Sequence, residues 1–105
     1  MINKIRECLK NNGILFSKHA RDEMEIEEFG EIYHEEVYQV LLSGKVIEEY
    51  RDDTPYPSCL IHGTTVESRH LHVVCAYAAE DGLAIIVTVY QPDPQRWEGY
   101  ERRNK

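Results

Sequence analysis

Five histidines stand in 105 residues, and neutral imidazole can move protons or bind metals near physiological pH. His70 and His72 lie two residues apart in an apolar run, so in an extended strand both project from the same face. Arg69 directly precedes them and gives that face a fixed positive charge, and His62 falls in a stretch that reads as a neighbouring strand. His19 opens a helical stretch after Ser17, between Lys18 and Arg21. A helix start offers free backbone N–H groups, so phosphate is the natural ligand there. Tyr90 closes a β-branched run just before Gln91 and Pro92, where a phenolic hydroxyl can reach an adjacent cleft. A lone histidine is more often an ordinary hydrogen-bonded side chain, whereas two on one sheet face are costly to bury without use. His70-x-His72 supplies two metal ligands, but no further Cys or His stands at motif spacing, and no metal or other cofactor is expected.

Those side chains need elements to hold them. Ile2, Ile5 and Leu9 recur at helical spacing, and Asn11-Asn12-Gly13 is a stop signal, so a first helix ends near Asn12. Ser17 is placed to cap a second helix with Ala20 and Met24 inward, fading before Gly30. Val37, Val40, Leu41 and Leu42 suit a third, from about Glu35 to Ser43, closed by Gly44. The period then changes. Val46–Tyr50, Cys59–Gly63, His70–Ala78 and Leu83–Tyr90 read as four strands, with an antiparallel hairpin at Asp81-Gly82. Leu71, Val73, Cys75 and Tyr77 face the core, opposite His70, His72, Val74 and Ala76. The expected fold is α+β over residues 1–105 as a single domain, with N-terminal helices packed on one face of a four-stranded, mainly antiparallel sheet.

Nineteen acids against 12 bases give a net charge of -7, which excludes a protein that holds nucleic acid through net charge alone. Eight of those acids lie between Asp22 and Glu36, a stretch without Lys or Arg, and the remainder carries 12 bases and 11 acids. The run reads as a solvated helix face or as a surface for a basic partner. Cys8, Cys59 and Cys75 show no paired short spacing, so they read as buried small hydrophobes in a reducing cytoplasm rather than as disulfides or a zinc ribbon. Met1–Lys10 is too polar for a signal peptide and Leu83–Tyr90 too short to span a bilayer. Tyr50, Tyr56, Tyr77 and Trp97 fill the core or offer stacking surfaces.

Four segments together carry a resemblance: His19-Ala20-x-x-x-Met24 after Ser17, Gly44-x-Val46-Ile47-Glu48-x-Tyr50, Leu71-His72-Val73-Val74, and Thr88-x-Tyr90-x-Pro92-x-Pro94-x-x-Trp97. In order and spacing the chain resembles, nearly end to end, the bacterial domain-of-unknown-function 4258 family. The resemblance implies a domain similar to the toxin components of type II toxin–antitoxin systems, with the layout of RelE- and barnase-like ribonucleases and a small antitoxin protein as partner. The implied activity is metal-independent endonucleolytic cleavage of single-stranded RNA by its own 2′-hydroxyl. In that reaction His19 and His72 are the acid/base pair, Tyr90 an orienting or proton-donating hydroxyl, Arg21 and Arg69 the phosphate clamps, and His70 an auxiliary. The expected location is the cytoplasm, as a monomer or homodimer. The alternative is a catalytically inactive relative that serves as a protein-interaction module, suggested by the acidic run and by Ser58 standing where many relatives carry a base.

Overall fold

In the computed structural model, which describes residues 1–104, helix α1 (Ile2–Lys10) buries Ile5 and Cys8. It ends where Asn12 turns left-handed with φ 60°, the conformation that Asn tolerates better than most residues. Strand β1 (Ile14–Phe16) follows. Ser17 caps helix α2 (Lys18–Glu25): its Oγ accepts from the Ala20 N–H at 3.0 Å and donates to the Val87 carbonyl at 3.1 Å. Helix α3 (His34–Ser43) starts with the Glu36 carboxylate accepting from the Tyr33 N–H at 3.1 Å and buries Val37, Val40 and Leu41. Leu42, expected in its apolar set, is exposed.

Strands β2 (Lys45–Tyr50), β3 (Ser58–Thr64), β4 (His70–Ala78) and β5 (Leu83–Tyr90) come next, and a small hairpin, β6 (Trp97–Glu98) with β7 (Arg102–Arg103), ends the described chain. The main sheet has the order β1-β5-β4-β3-β2. It is thus five-stranded and mixed, a correction to the expected four antiparallel strands. The added edge strand β1 runs parallel to β5, pairing Ile14 with Ala84 and Phe16 with Ile86. Three residues are too few to show the alternation that reveals a strand. The β4–β5 hairpin turns through a 3₁₀ turn at Ala79–Asp81 and a left-handed Gly82.

All three helices pack on one sheet face. Ile5, Ala20, Met24, Val37 and Val40 share a core with Ile61, Leu71, Val73, Cys75, Ile86 and Val89, in which each Ile, Leu, Val and Met side chain contributes roughly 1.5–3 kcal/mol of apolar burial. The expected inward set on β4 is the one observed. Gly44 closes α3 with extended backbone, and its value lies in close approach: a Cβ there would stand 2.5 Å from the Val40 carbonyl oxygen and 2.6 Å from that of His62. That approach fixes the end of β3 that carries His62. The three cysteines are free and buried. Burial pushes the Cys59 thiol up to about 11 and Cys75 higher still, as suits small core hydrophobes. Among the described residues no helix is long and apolar enough to cross a membrane.

Candidate active site

The opposite face of the sheet holds His62, His70 and His72. Register places Lys45 on β2 opposite His62 on β3, His62 opposite His72 on β4, and His72 opposite Tyr90 on β5. One row thus crosses four strands, with His70 two residues along from His72 and opposite Thr64. The C-terminal hairpin lies over this row. Trp97 meets the His72 ring edge-on at 4.5 Å, and the Tyr100 ring stacks on His70 at 3.8 Å. Arg103 sits over Trp97 at 4.7 Å and holds the Glu48 carboxylate with bonds of 2.8 and 3.0 Å. The hairpin turn uses positive φ at Gly99 and Tyr100, which aims the Tyr100 carbonyl at His72.

With each ring in its neutral form, hydrogen-bond partners fix the tautomer. A carbonyl only accepts, so His72 Nε2–H donates to the Tyr100 oxygen at 2.5 Å, and its bare Nδ1 accepts from the Tyr90 hydroxyl at 3.1 Å. Both His72 nitrogens are therefore engaged, in a side chain with no exposure. In the second chain of bonds, His62 Nδ1–H donates to the Glu101 carboxylate at 2.5 Å. His62 Nε2 then accepts from His70 Nδ1–H at 2.9 Å, which leaves His70 Nε2 bare. Among the described residues no buried polar side-chain atom lacks a partner, and His70 Nε2 has none, so it reaches solvent.

Electrostatics follow the geometry. Burial, then the neighbouring His62, lowers the His70 pKa. Burial does the same to His72, with the Tyr100 carbonyl opposing, and both rings are neutral at pH 7. Hydrogen bonds from Lys45, at 2.7 Å, and from His62 hold Glu101 below the usual carboxylate range, keeping it an acceptor. The bonds of Arg103 and Tyr50 do likewise for Glu48, whereas burial and Glu48 push Tyr50 up to about 12. Burial also raises Tyr90, whose side chain borders a cleft of about 750 Å³ with Gln91, Arg96, Trp97 and Arg103. The arrangement offers a carboxylate–imidazole–imidazole chain ending on a bare nitrogen under the Tyr100 ring, and on the same sheet face, held by His72, a phenol that borders a cleft with two guanidinium groups.

Of the residues singled out from sequence, His70, His72 and Tyr90 come together on this face. His19 does not join them directly: it is exposed on α2, its Nε2 3.4 Å from a Glu23 carboxylate oxygen that accepts from the Val89 N–H at 3.1 Å. That contact leaves it at the edge of β5, one residue before Tyr90. Arg21 lines a separate cleft with Tyr33 and His34. Arg69 is a pin. Its guanidinium donates to Gln91 Oε1 at 2.9 Å, to the Glu31 carbonyl at 3.0 Å, to the Gly30 carbonyl and to the Glu36 carboxylate, tying the 26–33 loop to the end of the sheet. Glu101 and Tyr100 carry no local sequence signal, since Glu101 lies 39 residues from the imidazole it holds. His62 was legible only as a strand neighbour.

The profile of the family described as Domain of unknown function (DUF4258) matches residues 16–91. The hairpin that supplies Trp97, Tyr100, Glu101 and Arg103 lies beyond the matched span. No curated protein and no solved structure matches the chain.

Proposed function

On the premise that this chain belongs to the DUF4258 family, we propose that it is a metal-independent endoribonuclease of single-stranded RNA, the toxin component of a type II toxin–antitoxin pair. One observation carries the chemistry: the Glu101–His62–His70 chain, which leaves a neutral His70 Nε2 open to solvent. A base of lowered pKa in that position takes the RNA 2′-hydroxyl proton. The 2′-oxygen then bonds to phosphorus and the bond to the 5′-oxygen breaks, leaving a 2′,3′-cyclic phosphate and a 5′-hydroxyl. Tyr90 turns its hydroxyl proton from His72 Nδ1 to the departing 5′-oxygen, and solvent then reprotonates Tyr90 and takes the proton from His70. Arg96 and Arg103 beside the cleft stabilise the charge on the phosphorane. His72 acts through Tyr90, holding its hydroxyl, and is a positioning residue. His19, at the start of α2 and beside the edge of β5, holds a flanking phosphate, whereas Arg21 turns to the separate acidic cleft.

The toxin assignment, the antitoxin partner and the cytoplasmic setting rest on the RelE- and barnase-like resemblance, supported by the three helices that precede the run of strands β2–β5. The second reading, an inactive relative that binds a protein partner, is favoured by the full engagement of Arg69 and the enclosure of His72. One assay separates them. Unstructured RNA incubated with the purified protein and EDTA is expected to yield fragments with 2′,3′-cyclic phosphate ends, abolished in His70→Gln. Intact RNA, or equal cleavage by the variant, contradicts the nuclease.

A further inference from the structure

The acidic run is gathered around a groove. Two clefts of about 520 and 570 Å³ meet at Glu31, Tyr33 and Glu35. Glu25 and Glu67 lie farther along the walls and are exposed, as are Glu31 and Glu35. Of the two bases that line the clefts, Arg69 is committed to Glu36 and to loop carbonyls, leaving Arg21 alone against the acids. The same groove exposes large apolar side chains: Phe29 is 61% exposed, Tyr33 56% and Val66 82%. A solvated acidic face has no use for these, and exposed apolar groups rimmed by charge mark an interaction surface. Arg69 and the Val66 N–H bond to Gln39 Oε1 at 3.0 Å hold both walls in place, so a partner meets a formed surface.

We propose that this groove docks a cationic amphipathic segment of a partner protein, one in which Lys or Arg side chains meet Glu25, Glu31, Glu35 and Glu67 while large apolar side chains cover Phe29, Tyr33 and Val66. Charge complementarity selects this occupant. RNA is repelled by the rim, and a second copy of a chain of net charge -7 brings like charge to like. A small polycation satisfies the acids but leaves the exposed Phe29, Tyr33 and Val66 side chains wet. The docking surface stands independently of the nuclease reading, because none of its residues belongs to the Glu101–His62–His70 chain.

Titration of the ¹⁵N-labelled protein with a synthetic peptide alternating Lys and Leu tests it. Saturable amide shifts confined to residues 25–36 and 65–67 are expected, with affinity about tenfold weaker for a Lys/Ser peptide of equal charge. The loss is expected again in Phe29→Ser/Val66→Ser and in the charge reversal Glu31→Lys/Glu35→Lys. All four side chains are exposed, and if the apolar variant unfolds the charge variant carries the same test. Equal affinity for the two peptides, shifts centred on His62, His70 and His72, or concentration-dependent broadening of the groove without peptide would each overturn the proposal. RNA cleavage is read separately, so its absence leaves the docking result intact.

Discussion

Strand β4 presents two different surfaces from alternate residues of one nine-residue stretch. Leu71, Val73 and Cys75 are wholly buried under three helices and are held by area and shape. His70 and His72, one residue out of phase, are held by directed bonds in which each donor meets one acceptor. The helix-side face tolerates any change that keeps volume and fails when volume is lost. The histidine face keeps its volume under many substitutions but depends on where protons sit. Stability is therefore concentrated on one side of the sheet and the proposed chemistry on the other.

The sharpest contrast comes from matched truncations. Leu71→Ala is expected to cost about 2–5 kcal/mol in chemical denaturation while the molecules that remain folded keep the proposed RNA-cleaving activity. His70→Gln should do the reverse, lowering cleavage by about 10²-fold while unfolding shifts by only about 1 kcal/mol. Next in size is Glu101→Gln. Loss of the carboxylate that orients His62 is expected to reduce cleavage about tenfold. Because the Glu101 charge raises the His70 pKa, its removal should also move the acid limb of the pH–rate profile to lower pH, an outcome that a merely structural role would not produce.

The smallest effect is the pH dependence of stability. His72 has a lowered pKa in the folded state, so between that value and the ordinary 6.5 the unfolded chain binds more protons. The stability conferred by burying neutral His72 is complete above 6.5 and is lost as pH falls through that window, by at most about 1.4 kcal/mol per pH unit for a single group. Thermal melts between pH 5 and 8 should show the loss, and His72→Asn should flatten it from a lower starting Tm.

Much of this organisation was legible in residue patterns. Alternation along His70–Ala78 separated core from histidine face, the Asp81-Gly82 pair marked the hairpin, and Ser17 marked the start of α2, because each is a local rule of period, turn or cap. Features decided by distant partners were not. β1 is recognisable only through its pairing with β5, and the irregular register at Val87, between Val74 and Cys75 on the partner strand, depends on how those two strands meet. Arg69 looked like a free cation beside two imidazoles, yet its ligands are carbonyls of a loop more than thirty residues away. Glu101 is one acid among nineteen until the hairpin folds it onto His62. A charge total of -7 likewise concealed two territories, an acidic groove around Tyr33 and a C-terminal hairpin bearing Arg96, Arg102 and Arg103.

The wiring of the histidine face is the centre of the account, and long-range ¹H–¹⁵N correlation of the imidazole nitrogens at pH 7.5 tests it most directly. The expected result is His72 protonated on Nε2, His62 and His70 on Nδ1, and a bare His70 Nε2 that titrates below the ordinary imidazole value. A His70 ring protonated on Nε2 at that pH, or one titrating above the ordinary value, would contradict it.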